Sequence, residues 1–112
     1  RTMDIHTMRV RPNYFALLRS GNKRVEFRLL DEKRRRISVG DKVCFVCQTD
    51  PGESLPTIVS EILHSTSFAD LLNQVPVSLL GGISKEHQLS DLRNFYNAPD
   101  EQKYGVIALV LE

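Results

Sequence analysis

The sequence of 112 residues contains no tryptophan, only two cysteines and few aromatic residues. Aromatic side chains make up 7% of the chain, so a surface that binds single strands by stacking many bases is not favoured. No apolar run approaches the roughly 20 residues that a membrane-spanning helix needs. The first residues show no apolar signal segment. We therefore expect a cytoplasmic protein that does not act at a membrane.

The two cysteines, Cys44 and Cys47, form a C-x-x-C motif, which can mark a metal or redox site. The segment around them, KVCFVCQT, is rich in β-branched and aromatic residues and predicts a strand. Residues three apart in a strand point to opposite faces, so the two thiols cannot share a zinc ion. The histidines His6, His64 and His87 are too scattered to complete a metal site. We expect buried free thiols, no metal and no cofactor.

The composition is otherwise that of an ordinary folded domain. Hydrophobic residues make up 41% of the chain and charged residues 26%. A chain of this length can bury a core without disulfides or metals. The sequence has no internal repeat, linker or low-complexity segment, and we predict a single domain over residues 1–112.

The net charge of +1 hides a strong asymmetry between the two halves of the chain. Residues 1–50 hold twelve Lys/Arg against six Asp/Glu, a balance of +6, whereas residues 51–112 hold three against eight, a balance of −5. A face built from the first half would attract phosphate groups. The basic run at residues 33–36 could belong to that face or could be a solvated loop, and both interpretations stay open.

The hydrophobic pattern predicts an α+β fold in the form of a small mixed β-barrel with flanking helices. The expected order is a strand, a helix capped by Gly21, several strands, two helices and a final strand. Residues 25–29 alternate apolar and charged side chains, as in a strand with one charged face. Residues 49–56 and 98–105 are predicted to be loops. The last segment, GVIALVL, is apolar on both faces and predicts a central, fully covered strand.

The segment SGNKRVEFRL resembles the G-x-K-x-x-E-x-R signature of the ASCH domain family, whose fold is similar to the PUA RNA-binding barrel. The matching positions are Gly21, Lys23, Glu26 and Arg28. The VGD turn, the segment SFADLL and the ending FYNAPDEQKYGVIALVLE are also similar to the family pattern. The resemblance covers nearly the whole chain.

This resemblance implies a PUA-like barrel with a cleft on which Lys23, Glu26 and Arg28 converge, and a function that involves RNA, a nucleotide or a nucleoside. Some members resemble amidohydrolases that act on acetylated cytidine, with the signature Lys as base and a Thr three residues later as nucleophile. Glu26 occupies that Thr position here, so we do not transfer that activity. Other members have been linked to metal-dependent RNA cleavage, which stays open.

The candidate binding residues are Lys23, Glu26 and Arg28, extended by Arg9 and Arg11, which lie two apart on the first strand and share a face. Arginine can hold a phosphate or a base edge with a planar fork of donors. Lys23 shares the strand face of the apolar residues Val25 and Phe27, so it would be partly desolvated if it pointed into a barrel mouth. A lysine at the end of a strand can also extend its amine to water, and both interpretations stay open. Three tyrosines are candidates for base stacking, although each more often completes a core: Tyr14, Tyr96 and Tyr104.

Two main functions remain open at this point. The first is a binding module that captures RNA or a nucleotide. The second is a hydrolase, a ribonuclease or an amidohydrolase, with Glu26 or Lys23 as general base and a more distant carboxylate such as Glu61 or Glu86 as its partner. A domain that binds protein partners, with purely structural ion pairs, is a third possibility. The sequence leaves the oligomeric state open.

Overall fold

A computed structural model describes residues 2–112, which form five strands and four α-helices. The strands are β1 (Ile5–Val10), β2 (Val25–Leu29), β3 (Lys42–Cys47), β4 (Asp50–Ser65) and β5 (Val106–Leu111). The α-helices are α1 (Pro12–Ser20), α2 (Phe68–Gln74), α3 (Lys85–Phe95) and α4 (Ala98–Tyr104), and two 3₁₀ turns span Arg34–Arg36 and Val77–Leu79.

The strands form one curved sheet with the order β1-β3-β4-β5-β2. The β1–β3 pair is parallel and the other three pairs are antiparallel. Strands β1 and β2, which come first in the sequence, are therefore the two edges of the sheet. This half-barrel with flanking helices confirms the predicted α+β fold, whereas the single domain over residues 1–112 stays a prediction.

The final strand, β5, lies between β4 and β2, as its apolar sequence predicted. Ile107, Leu109 and Leu111 pack into a core on the concave side of the sheet, with residues of β1, β3 and α1. Val106 and Ala108 point the other way, into a second core formed with α2 and α3. The strand is apolar on both faces because each face contacts a different core.

Strand β4 begins at Asp50, so the prediction of a loop over residues 49–56 was wrong. Only the second half of β4 pairs with β5, from Val59 onward, whereas the first half pairs with β3 alone. The other edge of that first half is free of ladder hydrogen bonds. Proline can occupy such an edge because its missing N–H is not needed, which explains how Pro51 and Pro56 fit a strand.

Residues 98–104 form helix α4, so the prediction of a loop over residues 98–105 was also wrong. The Asn97 side chain caps this helix by accepting a hydrogen bond from the Asp100 N–H (2.8 Å). Pro99 lies in the first turn, where proline is tolerated. The Glu101 carboxylate accepts a hydrogen bond from the Phe68 N–H (2.7 Å) at the start of α2, so the short helix is also held by its neighbour.

Several local predictions are confirmed. Gly21 ends α1 with a left-handed φ of 81°, and the hydroxyls of Ser67 and Ser84 cap α2 and α3. Cys44 and Cys47 lie on opposite faces of β3, as predicted; Cys47 is buried, but Cys44 is only half-buried, so the expectation of two buried thiols was wrong for Cys44. No helix within residues 2–112 is long and apolar enough to cross a membrane.

Leu109 tests the role of β5 in holding the two cores. Its side chain is 0% exposed, and we expect Leu109→Ala to lower the free energy of unfolding by about 2–5 kcal/mol, because a large-to-small change leaves a cavity. Val110→Ala on the same strand is the control, since Val110 is only half-buried, and it should cost less than half as much. Urea unfolding measures both; equal losses would contradict the assignment of Leu109 to the core.

Candidate functional site

The two edges of the sheet meet at a seam that contains a cavity of about 150 Å³. Arg28 on β2 bridges the seam, because its Nη2 donates a hydrogen bond to the Arg9 carbonyl on β1 (2.7 Å). We call this space the seam cavity. Its polar and aromatic lining residues are Arg9, Arg11, Tyr14, Glu26, Phe27, Arg28, Gln48, Gln88, Asp91, Phe95 and Tyr96.

Glu26 and Arg28 form an ion pair on the concave face of β2. They lie opposite Leu109 and Ile107 of β5, so two charged side chains occupy a face whose other members are core residues. Arg28 Nη2 and Nε both donate to Glu26 Oε2, at 2.9 and 3.3 Å, while Glu26 Oε1 accepts from the Phe27 N–H at 3.1 Å. Both carboxylate oxygens are therefore engaged.

This pair is not the solvated strand face that the alternating pattern usually indicates. The side chains of Arg28 and Glu26 are only 14% and 12% exposed. Burial by itself would lower the pKa of Arg28, but the Glu26 charge and a hydrogen bond with Tyr96 outweigh it, so the net shift of the Arg28 pKa is upward. The guanidinium stays charged and is held in a fixed orientation.

Lys23 lies beneath the seam cavity and is 1% exposed. Lys23, Val25 and Phe27 follow one another at intervals of two residues, and, as this spacing predicted, the Lys23 side chain points to the apolar side of the strand with the other two. Its Nζ donates to Gln88 Oε1 (2.8 Å) and lies 5.0 Å from the centre of the Tyr14 ring. Burial lowers the pKa of Lys23 to about 8, although the charges of Glu26 and Asp91 act in the opposite direction.

Helix α3 supplies the residues that the sequence predictions missed. Gln88 and Asp91 lie three apart on one face of the helix and both line the cavity. The Tyr14 hydroxyl donates to Asp91 Oδ2 and accepts from Gln88 Nε2 (3.4 Å). Burial, reinforced by this carboxylate, raises the pKa of Tyr14. In the sequence, Gln88 and Asp91 stand out as polar residues within the apolar face of the helix. Their hydrogen-bond partners are visible only in the tertiary structure.

The rim of the cavity is formed by Arg11 and Phe95. The Arg11 guanidinium carbon lies 4.3 Å from the centre of the Phe95 ring, and the Phe95 side chain is 52% exposed. Arg11 Nη2 is 3.9 Å from Asp91 Oδ2, a loose ion pair. Arg11 Nε is buried and has no hydrogen-bond partner among residues 2–112. The rim therefore consists of a half-exposed aromatic ring with a guanidinium stacked over it, and one nitrogen of that guanidinium has no hydrogen-bond partner among the described residues.

The structure thus brings the predicted site residues together. Arg9, Arg11, Glu26 and Arg28 line the cavity and Lys23 supports it from below, while their roles in binding stay predictions. Of the candidate stacking residues, Tyr14 and Tyr96 line the cavity and Tyr104 does not.

The distant carboxylates proposed as catalytic partners, Glu61 and Glu86, are exposed and do not line the cavity. The second carboxylate there is Asp91. Among residues 2–112, no group of three or more His, Cys, Asp or Glu side chains is placed to hold a metal ion.

A mixed half-barrel with a polar cavity at its seam defines a small α+β domain of the PUA-like class. The chain belongs to the ASCH domain family, whose model matches residues 8–112. The comparison with curated proteins finds no match.

Solved structures agree with this assignment. The chain is similar to the hypothetical protein PH0355, with 34% identity, a TM-score of 0.83, and coverage of 96% of this chain and 97% of the other. It is also similar to protein PF0455 from Pyrococcus furiosus, with 33% identity, a TM-score of 0.72 and 96% coverage of both chains. An ASCH protein from Zymomonas mobilis shares the fold at 17% identity, with a TM-score of 0.64 over 97% of this chain and 67% of the other.

The buried Lys23 predicts a characteristic dependence of stability on pH. Its pKa is about 8 in the folded state and near its ordinary value of 10.5 when unfolded, so the unfolded state binds more protons between these values. Stability should therefore rise with pH across this window, by roughly 3 kcal/mol. Lys23→Met removes the group, so the stability of the unaltered protein relative to this variant should increase from pH 7 to pH 10.5.

Urea unfolding of both proteins at several pH values measures this difference, and all other titrating groups cancel to first order. A difference in unfolding free energy that stays constant across the window would show that Lys23 titrates normally in the folded protein.

Proposed function

We propose that the protein binds single-stranded RNA by holding one nucleotide in the seam cavity. The observation that carries this proposal is the combination of size and lining: the cavity has a volume of about 150 Å³ and is walled by three arginines and by aromatic rings. An apolar cavity of about 150 Å³ is known to hold one benzene ring. The volume of the cavity therefore corresponds to one flat base.

The geometry provides separate contacts for the base and for the phosphate of a nucleotide. The Arg11 guanidinium covers one face of the Phe95 ring, but the side chain is still 52% exposed, and its open surface is one on which an unstacked base can lie, as in many proteins that bind single-stranded RNA. The Arg11 side chain is 39% exposed, and its guanidinium, whose Nε has no hydrogen-bond partner among residues 2–112, can donate to a phosphate oxygen or a base edge. Arg28 is already oriented by Glu26, so little conformational entropy is lost when it contacts a ligand.

The same geometry gives less support to the hydrolase alternative. A general base must lie within hydrogen-bond reach of the proton that it removes. Lys23 is 1% exposed and already donates to Gln88, and both oxygens of Glu26 accept hydrogen bonds from neighbouring groups. Neither group is presented to a ligand in the cavity as a free base. Binding is therefore the function that these contacts favour.

Arg11→Gln tests the binding proposal. Because it removes a charge and an unused donor, we expect the affinity for a fluorescein-labelled eight-nucleotide RNA of mixed sequence to fall roughly tenfold. The matched control is Arg93→Gln, which removes one charge from an exposed arginine on α3 that does not line the cavity; its effect should be less than twofold. Fluorescence anisotropy at two salt concentrations measures both variants and the unaltered protein.

The outcomes of this experiment separate the possible functions. If the unaltered protein binds no RNA at either salt concentration, the proposal is wrong. If both variants weaken binding equally, the interaction is only a general attraction between charges. A gel run on the RNA after the titration checks that it is intact, and cleaved RNA would favour the hydrolase.

Phe95→Ala tests the stacking contact independently of charge. Stacking of a base on an aromatic side chain contributes about 1–3 kcal/mol, so the affinity for the same RNA should fall about 5- to 100-fold. The dependence of binding on salt should not change, because no charge is removed. Val77→Ala, at another exposed apolar residue away from the cavity, is the control. An unchanged affinity in Phe95→Ala would exclude Phe95 as the stacking surface.

A further inference from the structure

A second and larger concavity lies beyond the end of β2, with a volume of about 460 Å³. Two arginines and a histidine line it, over a floor of aliphatic side chains. We call it the arginine groove; the lining residues used below are Arg34, Arg35, His64, Leu30, Ile37 and Ile62. None of its lining residues is acidic. It includes two of the four residues of the basic run at residues 33–36, and it shares no lining residue with the seam cavity.

The two arginines of the groove are arranged differently from an ordinary solvated charge run. Arg34 is held in place by Asp31, which accepts hydrogen bonds from the Arg34 Nη1 (2.8 Å) and from its backbone N–H (3.1 Å). The Arg34 Nε is nevertheless buried without a hydrogen-bond partner in the described part of the chain. Buried donors are nearly always paired, so the unpaired Nε marks Arg34 as an unusual member of the groove lining, with 19% of its side chain exposed. Arg35 is exposed, and its Nη2 donates to the Tyr104 carbonyl at 3.3 Å.

Arg36 contrasts with its two neighbours in the run. Its side chain is 71% exposed, it pairs with Glu32 at 3.2 Å, and it does not line the groove. The 3₁₀ turn Arg34–Arg36 thus directs two arginines into the concavity and the third away from it.

The groove and the seam cavity follow each other along one strand. Glu26 and Arg28 line the seam cavity, and Leu30, the next residue of the same parity, lines the groove. Residues two apart in an extended chain are separated by roughly 7 Å. Tyr96 lines the seam cavity on the same side as Arg28. A short oligonucleotide can therefore reach both concavities.

We infer that the arginine groove binds a backbone phosphate of the RNA strand whose nucleotide occupies the seam cavity. The arginines supply the positive charge and directed donors that a phosphate requires, and the aliphatic floor can contact the adjoining ribose. The inference rests on the proposed RNA binding and extends it by naming a second contact along the same strand.

Three single substitutions that each remove one charge test this inference: Arg34→Gln, Arg35→Gln and, as the matched control, Arg36→Gln. We expect the first two to lower the affinity for the labelled eight-nucleotide RNA about 3- to 10-fold and the control less than twofold. The slope of the logarithm of affinity against the logarithm of salt concentration should decrease by about 0.7 for each lost phosphate contact. Thermal unfolding checks that each variant is folded. Arg35→Gln keeps the test decisive if Arg34→Gln unfolds, because Arg35 is exposed.

Failure of this inference is distinguishable from failure of the binding proposal. If Arg34→Gln and Arg35→Gln bind RNA as Arg36→Gln does, while Arg11→Gln still weakens binding, the groove assignment is overturned and the seam cavity stands. If the unaltered protein binds no RNA, both are overturned. Calorimetry with inorganic phosphate adds one arm: phosphate binding that is lost in Arg34→Gln, with unchanged RNA affinity, would assign the groove to free phosphate and overturn the inference.

Discussion

The hydrogen bond from Arg28 to the Arg9 carbonyl is the contact on which the candidate site depends. A curved sheet of five strands leaves two unpaired edges, and their exposed backbone groups must find partners or remain in water. Here a side chain, not a strand ladder, spans the gap between the edges. The Arg28 hydrogen bond joins the two edges of the sheet, and the seam cavity is the open space beside this contact. The signature pair Glu26 and Arg28 therefore has a structural role, and both side chains also line the cavity.

The polar groups beneath the cavity form a connected chain in an otherwise apolar region. Lys23 donates to Gln88, Gln88 donates to the Tyr14 hydroxyl, and that hydroxyl donates to Asp91. Each buried group thus has a partner, which limits the free-energy cost of its desolvation. This chain connects α1 and the residues just before β2, which are neighbours in the sequence, to α3, which lies far along the chain: Lys23 and Gln88 are 65 positions apart. It fixes the floor of the cavity and keeps the Lys23 amine away from solvent.

The strong charge asymmetry of the sequence does not produce a uniformly positive face in the structure. The positive groups differ in how far they are neutralised: Glu26 pairs closely with Arg28, Asp91 pairs loosely with Arg11, and Asp31 orients Arg34 while leaving its Nε unpartnered. Acidic side chains therefore orient these arginines as well as partly neutralising their charge. Donors held in place in this way suit directed contacts to a phosphate better than flexible lysines do.

Hydrophobic periodicity and local capping determined most of the fold. The alternation in β2, the cap at Gly21, the serine caps of α2 and α3 and the apolar β5 are all local signals, and the structure confirms them. The sequence analysis missed the helix at residues 98–104, although Asn97 as a capping residue and Pro99 in the first turn are typical of a helix start. It also missed the first half of β4, because prolines fit a strand only where one edge of that strand is unpaired. The signature motif identified part of the site.

The motif could not identify Gln88, Asp91 and Phe95, which also line the cavity. These residues belong to helix α3, and Gln88 is 65 positions from Lys23 in the sequence. They reach the cavity only because α3 packs beside it, and that packing is decided by the tertiary structure.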